Sequence, residues 1–143
     1  MSSLKASLTG GGIAKWGKFI PSADGLHTFT YETEGTMRLD LEGKEPLYFY
    51  GYLTGMDDIN DEHVVVSGVG NLILKDLEGD AIMCKVDWFV KDGKDKGMFR
   101  FWSGTGKWEG IDGEIDVTLN PALTETDDKF GAFLEGEGTV SLK

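Results

Sequence analysis

The chain is poor in the residues that most often announce chemistry. Among its 143 residues there is one cysteine (Cys84), two histidines (His27 and His63), two arginines (Arg38 and Arg100) and three prolines. A single cysteine excludes an internal disulfide and sets the chain apart from the cysteine-stapled secreted class. It also leaves no paired-cysteine motif, and two histidines offer little from which to build a zinc site. There is no Gly-x-Ser-x-Gly elbow, no Cys-His constellation and no dinucleotide fingerprint, so no cofactor is expected. Long apolar runs are missing too. The longest strongly apolar segment, Leu47 to Leu53, is far below membrane-spanning length. The opening MSSLKASLTGGGIAKWGKF lacks the apolar core of a signal peptide, and the expected address is cytoplasmic.

Positive charge is also scarce. Fourteen Lys and Arg face 25 Asp and Glu, giving a formal net charge of -11 and a pI of about 4.5. Such a surface repels phosphates, which argues against nucleic acid and against anionic membranes as partners. The plain reading of the charge is solubility.

What is abundant is glycine and alternation. The 21 glycines are spread along the chain, and many stand inside apolar stretches, among them Gly35, Gly51, Gly55, Gly68, Gly70, Gly136 and Gly138. Glycines within strands mark bulges, bends and close backbone approach, which small barrels need. Period-two patterning recurs, and helical periodicity is nearly absent. From His27 to Leu41 the odd positions Phe29, Tyr31, Met37, Leu39 and Leu41 oppose the even positions Thr28, Thr30, Glu32, Glu34, Arg38 and Asp40, as in a half-buried strand. Seven further strands are expected over Ile13–Ile20, Pro46–Met56, His63–Leu74, Ala81–Lys91, Gly97–Ser103, Gly113–Leu119 and Phe130–Leu142. Short separators such as Glu42-Gly43-Lys44, Glu78-Gly79-Asp80, Asp57 to Asp61 and Lys91 to Lys96 predict antiparallel hairpins. The long connection Asn120 to Lys129 has room for a helical turn over one end. The acidic run Asp57 to Glu62 lacks the glycine and distal glutamate of a calcium loop and reads as a solvated turn.

Eight strands with short turns are consistent with a sandwich or a barrel. Several strands are apolar on both faces, which favours the barrel: an eight-stranded antiparallel up-and-down barrel forming one domain over 1–143, with a filled interior and an outer face that meets a second copy. A homodimer or homotrimer is the expected assembly.

The segment Ser103-Gly104-Thr105-Gly106-Lys107-Trp108-Glu109-Gly110-Ile111-Asp112-Gly113 resembles the Gly-x-Gly-x-aromatic-x-Gly-x-x-Gly signature of allene oxide cyclase-like and dirigent-like barrels, and Gly136 to Leu142 fits such a barrel's closing strand. The resemblance implies a calycin-like barrel with a cavity, in a superfamily that includes cyclases acting on reactive hydrophobic intermediates. It assigns no catalytic residue here. Physically, the motif reads as a glycine-rich barrel corner covered by a tryptophan ring. A phosphate loop is rejected, because the full spacing and the following helix are both absent.

Three features then point to a site. Arg100 stands in the aromatic strand Met98 to Trp102. Facing inward, it would anchor an anion; facing outward, it lies across the barrel wall. Asp87, beside Trp88, is either a buried acid–base group or half of a surface Lys85/Asp87 pair. The aromatics Tyr31, Tyr48, Tyr50, Trp88, Phe99 and Trp102 either line a cavity or fill a core. The functional expectation is a cofactor-independent cyclase or isomerase acting on a hydrophobic small molecule, with Arg100, Asp87 and Tyr50 as polar groups and Tyr31, Tyr48, Trp88, Phe99 and Trp102 as the ligand wall. The alternative is a barrel that carries a lipophilic ligand without chemistry.

Overall fold

A computed structural model describes residues 3–62, 64–121 and 129–143. Nine strands follow one another: β1 (Ser3–Trp16), β2 (Ile20–Ala23), β3 (Leu26–Leu41), β4 (Leu47–Asn60), β5 (Val65–Lys75), β6 (Ala81–Lys91), β7 (Lys94–Gly104), β8 (Asp112–Pro121) and β9 (Lys129–Ser141). Neighbours pair antiparallel in the order β1-β9-β8-β7-β6-β5-β4-β3, and β1 pairs with β3 to shut the ring. The fold is therefore a closed eight-stranded up-and-down barrel. The short β2 extends the line of β1 along β3, where Ile20 stands opposite Thr28. At the bend between them, the Gly17 amide donates to the Thr30 carbonyl at 2.8 Å.

Alternation decides what faces inward. Leu8, Leu39, Leu74, Ile82, Phe99 and Ile115 are all fully buried within the ring. Each such side chain contributes about 1.5–3 kcal/mol by leaving water. The outer wall carries the alternate residues, among them Lys15, Glu32, Lys85, Asp87, Arg100 and Glu114. No helix among the described residues is long and apolar enough to cross a membrane.

The two ends differ. At one end, the segment after β7 turns through a 3-10 helix (Gly106–Trp108) and lays Trp108, 5% exposed, against Phe49 at a ring separation of 5.8 Å. The Trp108 indole Nε1 donates to Asp76 Oδ2 at 3.0 Å. That carboxylate also accepts from the amides of Glu78 (2.9 Å) and Asp80 (3.0 Å) and from Lys107 Nζ (3.0 Å). Burial works to raise the Asp76 pKa, but these donors outweigh it and hold the carboxyl below its usual range. The glycine-rich motif is thus a barrel stopper, in keeping with its structural reading.

The sequence misplaces several boundaries. The first strand starts at Ser3, not at Ile13, because small residues between Leu4, Ala6 and Leu8 hide the alternation; Ile13 to Ile20 spans the end of β1, the bend and the first residue of β2. Asp57 to Asn60 is strand, not turn, and continues the inward row Phe49, Leu53, Asp57, Ile59. The turn expected over Lys91 to Lys96 shrinks to Asp92-Gly93, both with positive φ (53° and 75°), joining Lys91 to its partner Lys94. His63 and most of the Asn120–Lys129 connection lie outside the described residues.

Gly35 is the tightest point of the ring closure. It sits opposite Gly12 on β1 and Gly51 on β4, and an added Cβ would lie 2.6 Å from the Gly12 Cα. Gly35→Ala is therefore expected to destabilise the protein by about 1–3 kcal/mol or more through backbone displacement. Glu137→Ala on the outer wall should stay within about 0.5 kcal/mol. Urea unfolding of the two variants checks both.

Candidate functional site

The end opposite the stopper holds a cavity of about 490 Å3. Its wall comes from eight strands, all but β2, and from the bend after β1. Trp16, Phe19, Phe29, Tyr31, Trp88 and Phe130 supply rings; Leu53, Ile59, Val65 and Leu119 supply aliphatic surface; Asp57, Asp95 and Lys96 supply charge. Phe19 stacks on Phe29 at 4.7 Å, and Trp16 lies 5.3 Å from Phe130. Below this space a void of about 30 Å3 reaches Phe99 and Met37.

The floor is built by side chains lying flat over glycines. Tyr31 on β3 stretches across β4 and β5, and a Cβ at either Gly55 or Gly70 would come within 2.5 Å of its hydroxyl. There the Trp88 indole Nε1 donates to Tyr31 Oη at 2.8 Å, and the hydroxyl donates to the Val69 carbonyl at 3.2 Å. Trp88 in turn leans over Gly97, whose Cβ would lie 2.7 Å from the indole ring, and meets Phe99 edge-on at 5.6 Å. Burial and the nearby Asp57 push the Tyr31 pKa well above its ordinary value, only partly opposed by Trp88. With its proton engaged by Val69, Tyr31 is a structural member of the floor.

Asp57 is different. Its carboxyl leans over Gly68, where a Cβ would be 2.8 Å from the carboxyl carbon. Its Oδ1 is shielded from solvent and has no hydrogen-bond partner among the described residues. Desolvation, then Asp95 and then Asp58, raise its pKa from 3.8 to about 7. Burial raises Asp95 as well. Lys96, on the rim, does not neutralise them directly: its Nζ is held by Asp116 at 2.9 Å and Thr118 Oγ1 at 2.8 Å. The site is therefore an aromatic chamber with a carboxyl group whose burial raises its pKa towards neutrality.

The residues expected from sequence divide between the two faces. Tyr31 and Trp88 line the chamber, and Phe99 lies beneath it. Arg100 does not face inward; it is exposed on the outer wall, opposite Lys85 and Glu114, while Phe99 and Phe101 occupy the interior. Asp87 is exposed on the same outer wall. Tyr48 (60% exposed), Tyr50 (46%) and Trp102 (52%) also face out. The Tyr50 hydroxyl is bonded to Glu34, which raises its pKa; Trp102 lies under the Lys85 ammonium at 5.1 Å. Of the polar trio Arg100, Asp87 and Tyr50, none reaches the cavity. The physical reason is register. The two-residue Asp92-Gly93 turn sets Val86 opposite Phe99 and Cys84 opposite Phe101, and a bulge at Trp102 shifts the pairing so that Met83 meets Ser103. Asp57 and Asp95 are the groups that sequence reasoning misses. Continuing the odd-numbered row of β4 from Phe49 through Leu53 would have found Asp57.

A carboxyl protonated more readily in the folded state than in the unfolded one favours folding at low pH. That advantage is complete below the unfolded value near 3.8 and is lost as pH rises through about 7. The corresponding change is at most about 4 kcal/mol, at 1.36 kcal/mol per unit. Asp57→Asn should therefore be more stable than the wild type at pH 8, with the gap closing towards pH 4; chemical denaturation at both pH values reads it. No family model matches this chain, and neither does any curated protein or solved structure.

Proposed function

We propose that this barrel takes up a hydrophobic small molecule through its open end. The observation that carries the reading is the chamber of about 490 Å3, aromatic on most sides and closed below by Trp88, Tyr31 and Phe99. Cavities of this size and lining suit ligands that bury most of their surface. The resemblance of Gly104 to Gly113 to allene oxide cyclase-like barrels supports the same reading, since such barrels enclose small hydrophobic molecules.

A second reading, a cofactor-independent isomerase or cyclase, is favoured by Asp57. A carboxyl poised near neutrality in an aromatic chamber can take a proton from one carbon of a substrate and return it to another. Such a step is balanced without any redox partner. Asp57 then takes the role that Arg100, Asp87 and Tyr50 were expected to fill.

The binding reading expects N-phenyl-1-naphthylamine, uncharged at assay pH, to brighten saturably with a Kd below about 100 μM. Ala132→Trp fills the chamber wall and should abolish the signal while leaving the β-sheet circular dichroism intact. Arg100→Met and Asp87→Asn should change nothing. Brightening that survives Ala132→Trp would overturn the assignment. The isomerase reading expects 3-cyclohexen-1-one in heavy water to become the conjugated, deuterated enone faster with the wild type than with Asp57→Asn. A contribution of about 10²–10⁴ in rate is usual for a positioned base. Equal rates would leave a binding protein.

A further inference from the structure

The chamber's charge is one-sided, and this narrows what it holds. Asp57 reaches it from β4 and Asp95 from β7. Among the described wall residues the remaining charged side chain, Lys96, points its ammonium at Asp116 and Thr118. Asp58, on the other face of β4, is bonded by Thr28 and Ser22 and adds negative potential from outside. His27 and Asp61 line an adjoining groove at the rim. Among the described residues no group of three His, Cys, Asp or Glu comes together to hold a metal.

An anionic ligand would meet two carboxyls with no inward cation among the described residues to offset them. A purely apolar ligand would leave Asp57 Oδ1 buried without a partner, which is costly. A cation answers both conditions, because the faces of Trp16, Phe29, Trp88 and Phe130 attract positive charge, and a turn of the Asp57 carboxyl away from Gly68 presents Oδ1 to its N–H groups. Building on the small-molecule reading above, we propose that the chamber is a site for a protonated amine carried on an aromatic or alicyclic body, with Asp57 and Asp95 as its counter-charge and the surrounding rings as its wall.

Proton linkage follows. The amine stabilises ionised Asp57, so binding near pH 7 releases a proton from the carboxyl, and affinity for the amine should climb between pH 5 and pH 8. Tyr31 takes no part, its hydroxyl being fixed between Trp88 and Val69.

A matched series tests this on the intact protein: 1-naphthylmethylamine, 1-naphthylmethanol and 1-naphthoic acid, which share one ring system and differ in charge. The amine should bind about tenfold more tightly than the alcohol at pH 8, and the acid more weakly than either. The gap between amine and alcohol should narrow at pH 5 in the wild type. It should also vanish in Asp57→Asn and in the Asp57→Asn/Asp95→Asn double variant, with alcohol affinity retained. Calorimetry in two buffers of different ionisation enthalpy should show proton release for the amine alone. If the alcohol binds as tightly as the amine and Ala132→Trp abolishes it, the cavity stands and the amine preference is overturned. A preference for the acid, or an amine advantage independent of pH, overturns it too. If none of the three binds, the small-molecule reading itself falls.

Discussion

Inside this barrel a large side chain finds room only where a neighbouring strand gives up its own. Eight strands enclose a narrow interior, and inward positions of adjacent strands stand side by side. Tyr31 can reach Trp88 because Gly55 and Gly70 lie beneath it; Trp88 can lean over β7 because residue 97 has no Cβ; Asp57 can turn inward because residue 68 has none. The glycines and the bulky residues are one packing pattern. Take away either and the floor of the chamber does not form. The ring closure obeys the same limit, with Gly12, Gly35 and Gly51 side by side across three strands.

That constraint divides the barrel into unlike ends. Towards the stopper, the interior is filled, and the polar group at the boundary, Asp76, has a donor for every demand: two amides, an indole and an ammonium. Towards the mouth, the interior is left open, and Asp57 has no donor for Oδ1 among the described residues. The same side chain is held ionised at one end and pushed towards the neutral form at the other. A fold that satisfies its buried acids at one end and leaves one bare at the other concentrates its chemical potential at the mouth.

The barrel was legible in the sequence because alternation survives wherever one face is charged. The row Phe29, Tyr31, Met37, Leu39 and Leu41 against Thr28, Glu32, Arg38 and Asp40 could be oriented on sight. Cys84, Val86 and Trp88 alternate with Lys85 and Asp87 as regularly, yet Asp87 was expected in the site and stands outside. Orientation failed where both faces are apolar. In Met98 to Trp102 hydrophobicity cannot distinguish Phe99 from Trp102, and only the register imposed by Asp92-Gly93 separates them. In Pro46 to Met56 the tyrosines look as suitable for a core as their neighbours, yet Tyr48 and Tyr50 face water. The candidate site was illegible for a related reason. Asp57 belongs to a run of acids that any reading by composition assigns to a loop, and its surroundings are set by Gly68 and Asp95, which lie 11 and 38 positions further along the chain.

Closure has a last effect, on the thiol. Cys84 sits in β6 with hydrogen-bonded neighbours on both sides, is 1% exposed, and has its ionisation suppressed by burial. A closed ring has no edge strand that can peel away to uncover it. Alkylation of Cys84 therefore has to wait for the ring to come apart, and its rate in the native protein is a direct gauge of how often the whole barrel opens.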